Sequence, residues 1–96
     1  MRFSWDPTKA ARNAANHGVT FEEAKEVFSP DVDPLEEYDV EHSDVERRFR
    51  TIGPIRRGIV LVVWTERHAD TIRIISARFA TTSERARYRR FMQGGV

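Results

Sequence analysis

The 96-residue sequence predicts a single α+β domain: a short N-terminal strand, two helices, a curled antiparallel sheet of three or four further strands, and a C-terminal helix. Three observations carry that expectation. Ile59-Val60-Leu61-Val62-Val63-Trp64 is a continuous apolar run, the pattern of a central strand covered on both faces. Near the front, Asp6-Pro7 and Thr20-Phe21-Glu22-Glu23 are two helix starts with their own capping chemistry. Near the end, the apolar segment Thr71 to Ala77 leads through a polar turn, Thr81-Thr82-Ser83-Glu84, into a helix studded with arginine. The helices are expected on one side of the sheet, with residues 1–92 forming the domain and 93–96 a flexible tail.

Phe3-Ser4-Trp5 alternates and reads as the first strand. Asp6 follows as N-cap, and Pro7 takes the first helical position, where its missing N–H has no intrahelical partner to lose. This helix runs to Asn16-His17-Gly18: glycine supplies the left-handed stop, and histidine meets the last carbonyls. Thr20 caps the second helix, with Glu23 completing a capping box and Val19 stapling onto Ala24; Ala24, Val27 and Phe28 form its apolar stripe, and Pro30 ends it. Asp31 to Asp44 is acidic and loop-like, with a short edge strand at Leu35-Glu36-Glu37-Tyr38. Glu46 to Ile52 alternates weakly and suits an antiparallel strand, and Pro54 to Gly58 is a turn. Thr71 to Ala77 pairs with the central strand through the Glu66–Asp70 turn, and Thr82 or Ser83 caps the last helix, which runs to about Met92.

Cysteine is absent, which excludes disulfide staples, iron–sulfur clusters and thiolate zinc sites and fits a reducing cytoplasm. No apolar run approaches the roughly 20 residues of a spanning helix, and the start, M-R-F-S-W-D, lacks the apolar core of a signal peptide. A cytoplasmic protein that does not enter the membrane is expected. The net charge of +1 hides a sharp asymmetry. Residues 1–46 hold four basic residues against twelve acidic ones, and residues 47–96 hold twelve arginines against Glu66, Asp70 and Glu84. Either the two halves pair with each other across one domain, or the basic half presents a nucleic-acid face. Fourteen of the sixteen basic residues are arginine, whose planar fork grips phosphate in a bidentate way. Guanidinium groups on a half-buried strand, at Arg73 and Arg78, are costly unless something anionic or polar meets them.

Four ordered blocks resemble the BrnT family, the toxins of BrnT/BrnA type II toxin–antitoxin systems. They are F-S-W-D-P-T-K; N-H-G-V-T-F-E-E-A with V-F; H-S-D-V-E-R-R-F-R-T-I-G; and V-V-W-T-E-R with I-R-I-I-S-A-R-F-A-T, together spanning Phe3 to about Phe91. The resemblance implies a RelE-like fold, endoribonuclease activity without metal or other cofactor, inhibition of translation and growth, and neutralisation by a small ribbon-helix-helix antitoxin resembling BrnA. It further implies a 2:2 heterotetramer that binds its own operator DNA through the antitoxin.

Metal-free RNA cleavage needs a 2′-hydroxyl deprotonated, a phosphorane stabilised and a 5′-oxygen protonated. Arg78, at a strand end beside the polar turn, Arg73 in mid-strand and Arg67 in the preceding turn are the candidates for charge stabilisation. Structural alternatives are an ion pair of Arg78 with Glu84 or Asp70, one of Arg73 with Glu66, and a solvated turn charge at Arg67. Glu84, Tyr88 and His42 are candidates for proton transfer, against helix capping for Glu84 and core packing for Tyr88. Arg85 and Arg89 are candidate RNA-binding residues, and His68 is expected in an exposed tight turn. The histidines and carboxylates fit no metal-ligand spacing. The alternative function is a non-enzymatic nucleic-acid- or partner-binding module that uses the arginine-rich C-terminal half. A DNA regulator with the last helix in a groove is a weaker third reading, since that helix lacks asparagine or glutamine in its first turns for base readout.

Overall fold

The computed structural model describes residues 1–42, 46–68 and 70–94, with His42 described by its backbone alone. Its elements are β1 (Arg2–Ser4), α1 (Pro7–His17), α2 (Phe21–Ala24) continuing into a 3-10 turn (Lys25–Phe28), β2 (Leu35–Tyr38), a second 3-10 turn (Val40–His42), β3 (Arg48–Ile55), β4 (Gly58–Arg67), β5 (Thr71–Phe79) and α3 (Thr82–Met92). The strands form one sheet in the order β1-β5-β4-β3-β2. The run from β2 to β5 is an antiparallel meander, as the sequence predicts; β1 joins parallel to β5, with Phe3 opposite Ile72, so the sheet is mixed. Of the expected tail, Gly95 and Val96 lie outside the described residues.

The expectation of helices on one side is corrected. Val19, Phe21, Ala24 and Val27, from α2 and the chain beside it, pack with Val60, Val62, Trp64, Ile72, Ile74 and Ala77 on one face, and Ala10 of α1 packs against the same cluster. Tyr88 and Phe91 of α3 meet Ile52, Ile59, Leu61 and Val63 on the other. The period of two along β4 requires this: one row of apolar side chains points each way, and neither row is stable in water. A continuous apolar strand therefore demands cover on both faces.

Local chemistry explains most boundaries. Asp6 accepts from the amides of Thr8 and Lys9 as the N-cap of α1, and Gly18 stops the helix at φ 70°. Thr20 and Glu23 form the expected capping box, but α2 is a single α-turn before the 3-10 turn. The cap of α3 is Thr81 rather than Thr82 or Ser83, because Glu84 stands three residues after Thr81 and closes a second capping box. β3 continues through Pro54 to Ile55. β2 pairs only with Phe49 to Ile52, so Pro54 stands where β3 has no outer neighbour, a place where a missing N–H is tolerated.

One buried side chain completes the sheet. β1 is three residues long and leaves the outer edge of β5 bare beyond Arg73. There the Asn13 carboxamide takes the place of a strand: its Nδ2 donates to the Ala77 carbonyl at 2.7 Å and its Oδ1 accepts from the Ala77 amide at 3.1 Å. The same Nδ2 donates to the Val19 carbonyl at 2.9 Å, tying α1 to the loop that follows it. Asn13→Ala orphans three buried backbone groups. The expected cost is about 2 kcal/mol or more, read as a lower urea midpoint at unchanged slope; a loss under about 0.5 kcal/mol, the ordinary range of surface changes, counts against this role.

Candidate functional site

The face that carries α3 changes character along its length. Under the helix it is apolar, with Leu35, Ile52, Ile59, Leu61 and Val63. An 11-residue helix reaches only about 16 Å, and past it the same face turns polar. The register places Arg48 opposite Thr65 and Thr65 opposite Arg73, and Ser4 opposite Arg73, so Arg48, Thr65, Arg73 and Ser4 form one row across four neighbouring strands. Arg67 lies on this face two residues beyond Thr65, opposite Thr71.

A β-bulge decides which arginines share the face. Val63 pairs with Ser76 but Trp64 pairs with Ile74, so Ile75 is the extra residue of β5. Arg73 and Arg78 are five residues apart, and strict alternation would send them to opposite faces. The bulge returns Arg78 to the face of Arg73, opposite Leu61, about 13 Å further along β4.

The row floors two adjoining clefts. One, about 160 Å³, is lined by Asp6, Lys9, Glu46, Arg48, Arg67, Arg73, Ile74 and Ile75, four cations against two carboxylates. The other, about 460 Å³, is lined by Ser4, Arg67, His68, Thr71 and Arg73. Arg73 bonds the Ser4 hydroxyl at 3.4 Å, and among the described residues it has no carboxylate within ion-pair distance, Glu66 included. Arg73 does act on Asp6 through space, a minor contribution to the lowered pKa of that carboxyl beside the amides of Lys9 and Thr8. Arg67 remains exposed and pairs with Glu46 at 3.1 Å. Thr65, buried in the row, donates to the Arg47 carbonyl.

The remaining sequence candidates lie apart from these clefts. Arg78 makes a bidentate bond to Glu84, at 2.8 and 2.9 Å, and donates to the Phe79 carbonyl, so its ion-pair alternative is realised. Glu84 is only 8% exposed and also receives the Thr81 amide. The Tyr88 hydroxyl donates to the Asp33 carbonyl at 3.1 Å, its ring sits in the core under α3, and burial raises its pKa. Arg85 folds back onto the Ala80 carbonyl, and Arg89 is exposed. The His42 side chain lies outside the described residues. Among the described residues no three His, Asp or Glu side chains gather as a metal-ligand set, and no helix is long and apolar enough to cross a membrane.

The family model for the BrnT ribonuclease toxin of type II toxin–antitoxin systems matches residues 5–84. The chain belongs to the BrnT family. The matched span contains Arg48, Thr65, Arg67, Arg73, Arg78 and Glu84 but stops before Arg85, Tyr88 and Arg89. The 1.1 Å crystal structure of the Brucella abortus ribonuclease toxin BrnT superposes with a TM-score of 0.64 at 23% identity, covering 85% of this chain and 99% of that one. At that identity the likeness establishes a shared fold. No curated protein matches the chain.

Arg48, Thr65, Ser4 and His68 of this candidate site are not singled out by the sequence as site residues. Arg48 sits in a weakly alternating strand, and only the register with Thr65 brings it beside Arg73. His68 was legible as a turn residue; its left-handed backbone, φ 60°, places it on the rim with Arg67 and Arg73. The Arg78–Glu84 pair yields a test by pH. The Arg78 hydrogen bonds, with lesser help from Thr81 and against the effect of burial, hold the Glu84 carboxyl down to about 2 from 4.5. The folded-state value lies below the unfolded one, so the pair's contribution is complete above about pH 4.5 and is lost as pH falls through 2. The stability gap between the native chain and Glu84→Gln should be widest near neutral pH and close toward pH 2 in urea titrations. A gap independent of pH would show that the carboxylate charge contributes nothing.

Proposed function

We propose that this chain is a metal-independent endoribonuclease whose cutting site is the row Arg48–Thr65–Arg73 with Arg67 and His68 on its rim. The observation that carries the reading is Arg73: a half-buried guanidinium on a rigid strand, among three other cations, bonded among the described residues to a hydroxyl alone. Such a group is poised for an anion that arrives from outside. In the reaction the RNA 2′-hydroxyl gives up its proton and its oxygen bonds to the adjacent phosphorus. The P–O5′ bond breaks, and the 5′-oxygen takes a proton, leaving a 2′,3′-cyclic phosphate and a 5′-hydroxyl. Arg73, Arg67 and Arg48 neutralise the charge that builds on the phosphorane oxygens. Histidine is the usual side chain for proton transfer near neutral pH, and His68 lines the cleft.

Arg78 flanks the row as a second phosphate contact, for which RNA must compete with Glu84. The exposed flank of α3 offers Arg85 and Arg89 to the RNA backbone. Tyr88 is left to packing. In a cytoplasmic setting such cleavage stops translation and growth. A small ribbon-helix-helix antitoxin with an acidic segment over the arginine row would silence it, in a 2:2 assembly that reads the operator through the antitoxin.

The test is cleavage of a defined RNA in excess chelator. Activity should persist, and Arg73→Ala should lower it about 10²–10³-fold, the loss typical of one transition-state donor. Arg73→Lys should recover only part, since a point charge cannot reproduce the fork. Full activity in Arg73→Ala removes the row from the mechanism. Cleavage abolished by chelator and restored by a divalent metal ends the metal-independent reading.

A further inference from the structure

Arg67 borders a third cleft, of about 190 Å³, whose walls differ from the other two: Glu46, Arg47, Phe49, Thr65 and Glu66. We propose that this cleft is a guanine-binding subsite for the base next to the phosphate held by the arginine row. Phe49 lies near the end of an aromatic series across the α1 face, Phe3–Phe28–Trp64–Phe49–Tyr38, with centroid spacings of 5.6, 5.5, 4.7 and 5.7 Å. Trp64 stacks on Phe49 at 24°, which fixes the ring as a rigid wall. The Arg47 guanidinium stands 5.6 Å from the ring centre and has no ion pair among the described residues, so it can move aside and close over an inserted base. An aromatic ring and a guanidinium are the two surfaces on which unstacked RNA bases lie.

The edge of that base is read by Glu66. Its side chain is exposed, points to the same face as Phe49 and Trp64, and is unpaired among the described residues. A carboxylate accepts hydrogen bonds and donates none. Guanine alone among the four bases presents two adjacent N–H donors on one edge, N1–H and N2–H, and meets a carboxylate in a bidentate pair. Adenine and cytosine set a ring acceptor beside their single amine, and uracil flanks its one N–H with carbonyls. The cleft is smaller than the roughly 300–1,000 Å³ of sites for drug-sized ligands, which suits one ring system. Arg67, shared with the phosphate clefts, keeps base and backbone within a single nucleotide.

The subsite deepens the ribonuclease reading, and two measurements separate them. First, the four nucleoside 5′-monophosphates are titrated against the intact chain in excess chelator, with binding read by isothermal titration calorimetry. Guanosine monophosphate should bind about tenfold or more tighter than the others, the discrimination of one bidentate base contact. Glu66→Gln should erase that preference while folding is kept, and Phe49→Leu should weaken all four alike. If the leucine variant unfolds, the Glu66→Gln titration still decides. Second, cut sites are mapped on an RNA of mixed sequence, where guanine should adjoin the cut and Glu66→Gln should scatter it. Equal binding of the four nucleotides, or a preference that survives Glu66→Gln, overturns the subsite. Guanine-selective binding without any RNA cleavage keeps the subsite and overturns the ribonuclease reading, and cleavage without base preference does the reverse.

Discussion

Side chains on a strand alternate, and in this fold that rule is obeyed everywhere along the central strand and broken once beside it. The unbroken alternation of β4 forces two apolar layers, and so a helix layer on each side of the sheet. The single break, at Ile75, gathers Arg73 and Arg78 on one side while Ala77 and Ile74 both stay in the core of the other. Without the extra residue, a guanidinium would be driven among Val60, Val62 and Trp64, or an apolar side chain turned out to water. The bulge reconciles a buried core with a charged floor on the same five strands.

The charge asymmetry of the sequence resolves into neighbours. Glu23 holds Arg57 at 2.6 Å, Glu37 holds Arg50 and Arg87, and Glu46 holds Arg67 and approaches Arg48 at 3.8 Å. The acidic first half thus serves as counter-ion to the basic second half, and most of these pairs are too exposed to add much stability individually. Their value lies in placement. Glu46 and Glu37 hold arginines near the open face without filling it, and the row around Arg73 keeps an excess of positive charge. A face so arranged tolerates its own charge in isolation and still favours an incoming anion.

Much of the fold was legible because its signals are local. Asp6-Pro7, Gly18 and Thr20 with Glu23 act within one helical turn, and the structure uses each as the sequence suggests. The apolar run of β4 carries the signal of its double cover, and cover on both faces requires a helix on either side of the sheet. The site was legible in residue type and not in arrangement. Arg67 and Arg73 stood out as cations on and beside an apolar strand, but their neighbours Arg48 and His68 are supplied by register and by one left-handed residue. Glu84 and Tyr88 share a helix face as their spacing requires, and that face is the one turned to the core. Nothing local to α3 separates a catalytic face from a packing face; the separation comes from which part of the sheet the helix covers.

The carboxamide of Asn13 has a consequence beyond the fold it helps to hold. A strand edge with a free N–H and C=O is a template on which another chain can add its own strand, and short parallel strands such as β1 guard such an edge poorly. By occupying both backbone groups of Ala77 from within the chain, Asn13 closes that edge to strangers. The bare stretch of β5 beyond Arg73 is thereby sealed from within, and the charged face is left open beside a closed flank.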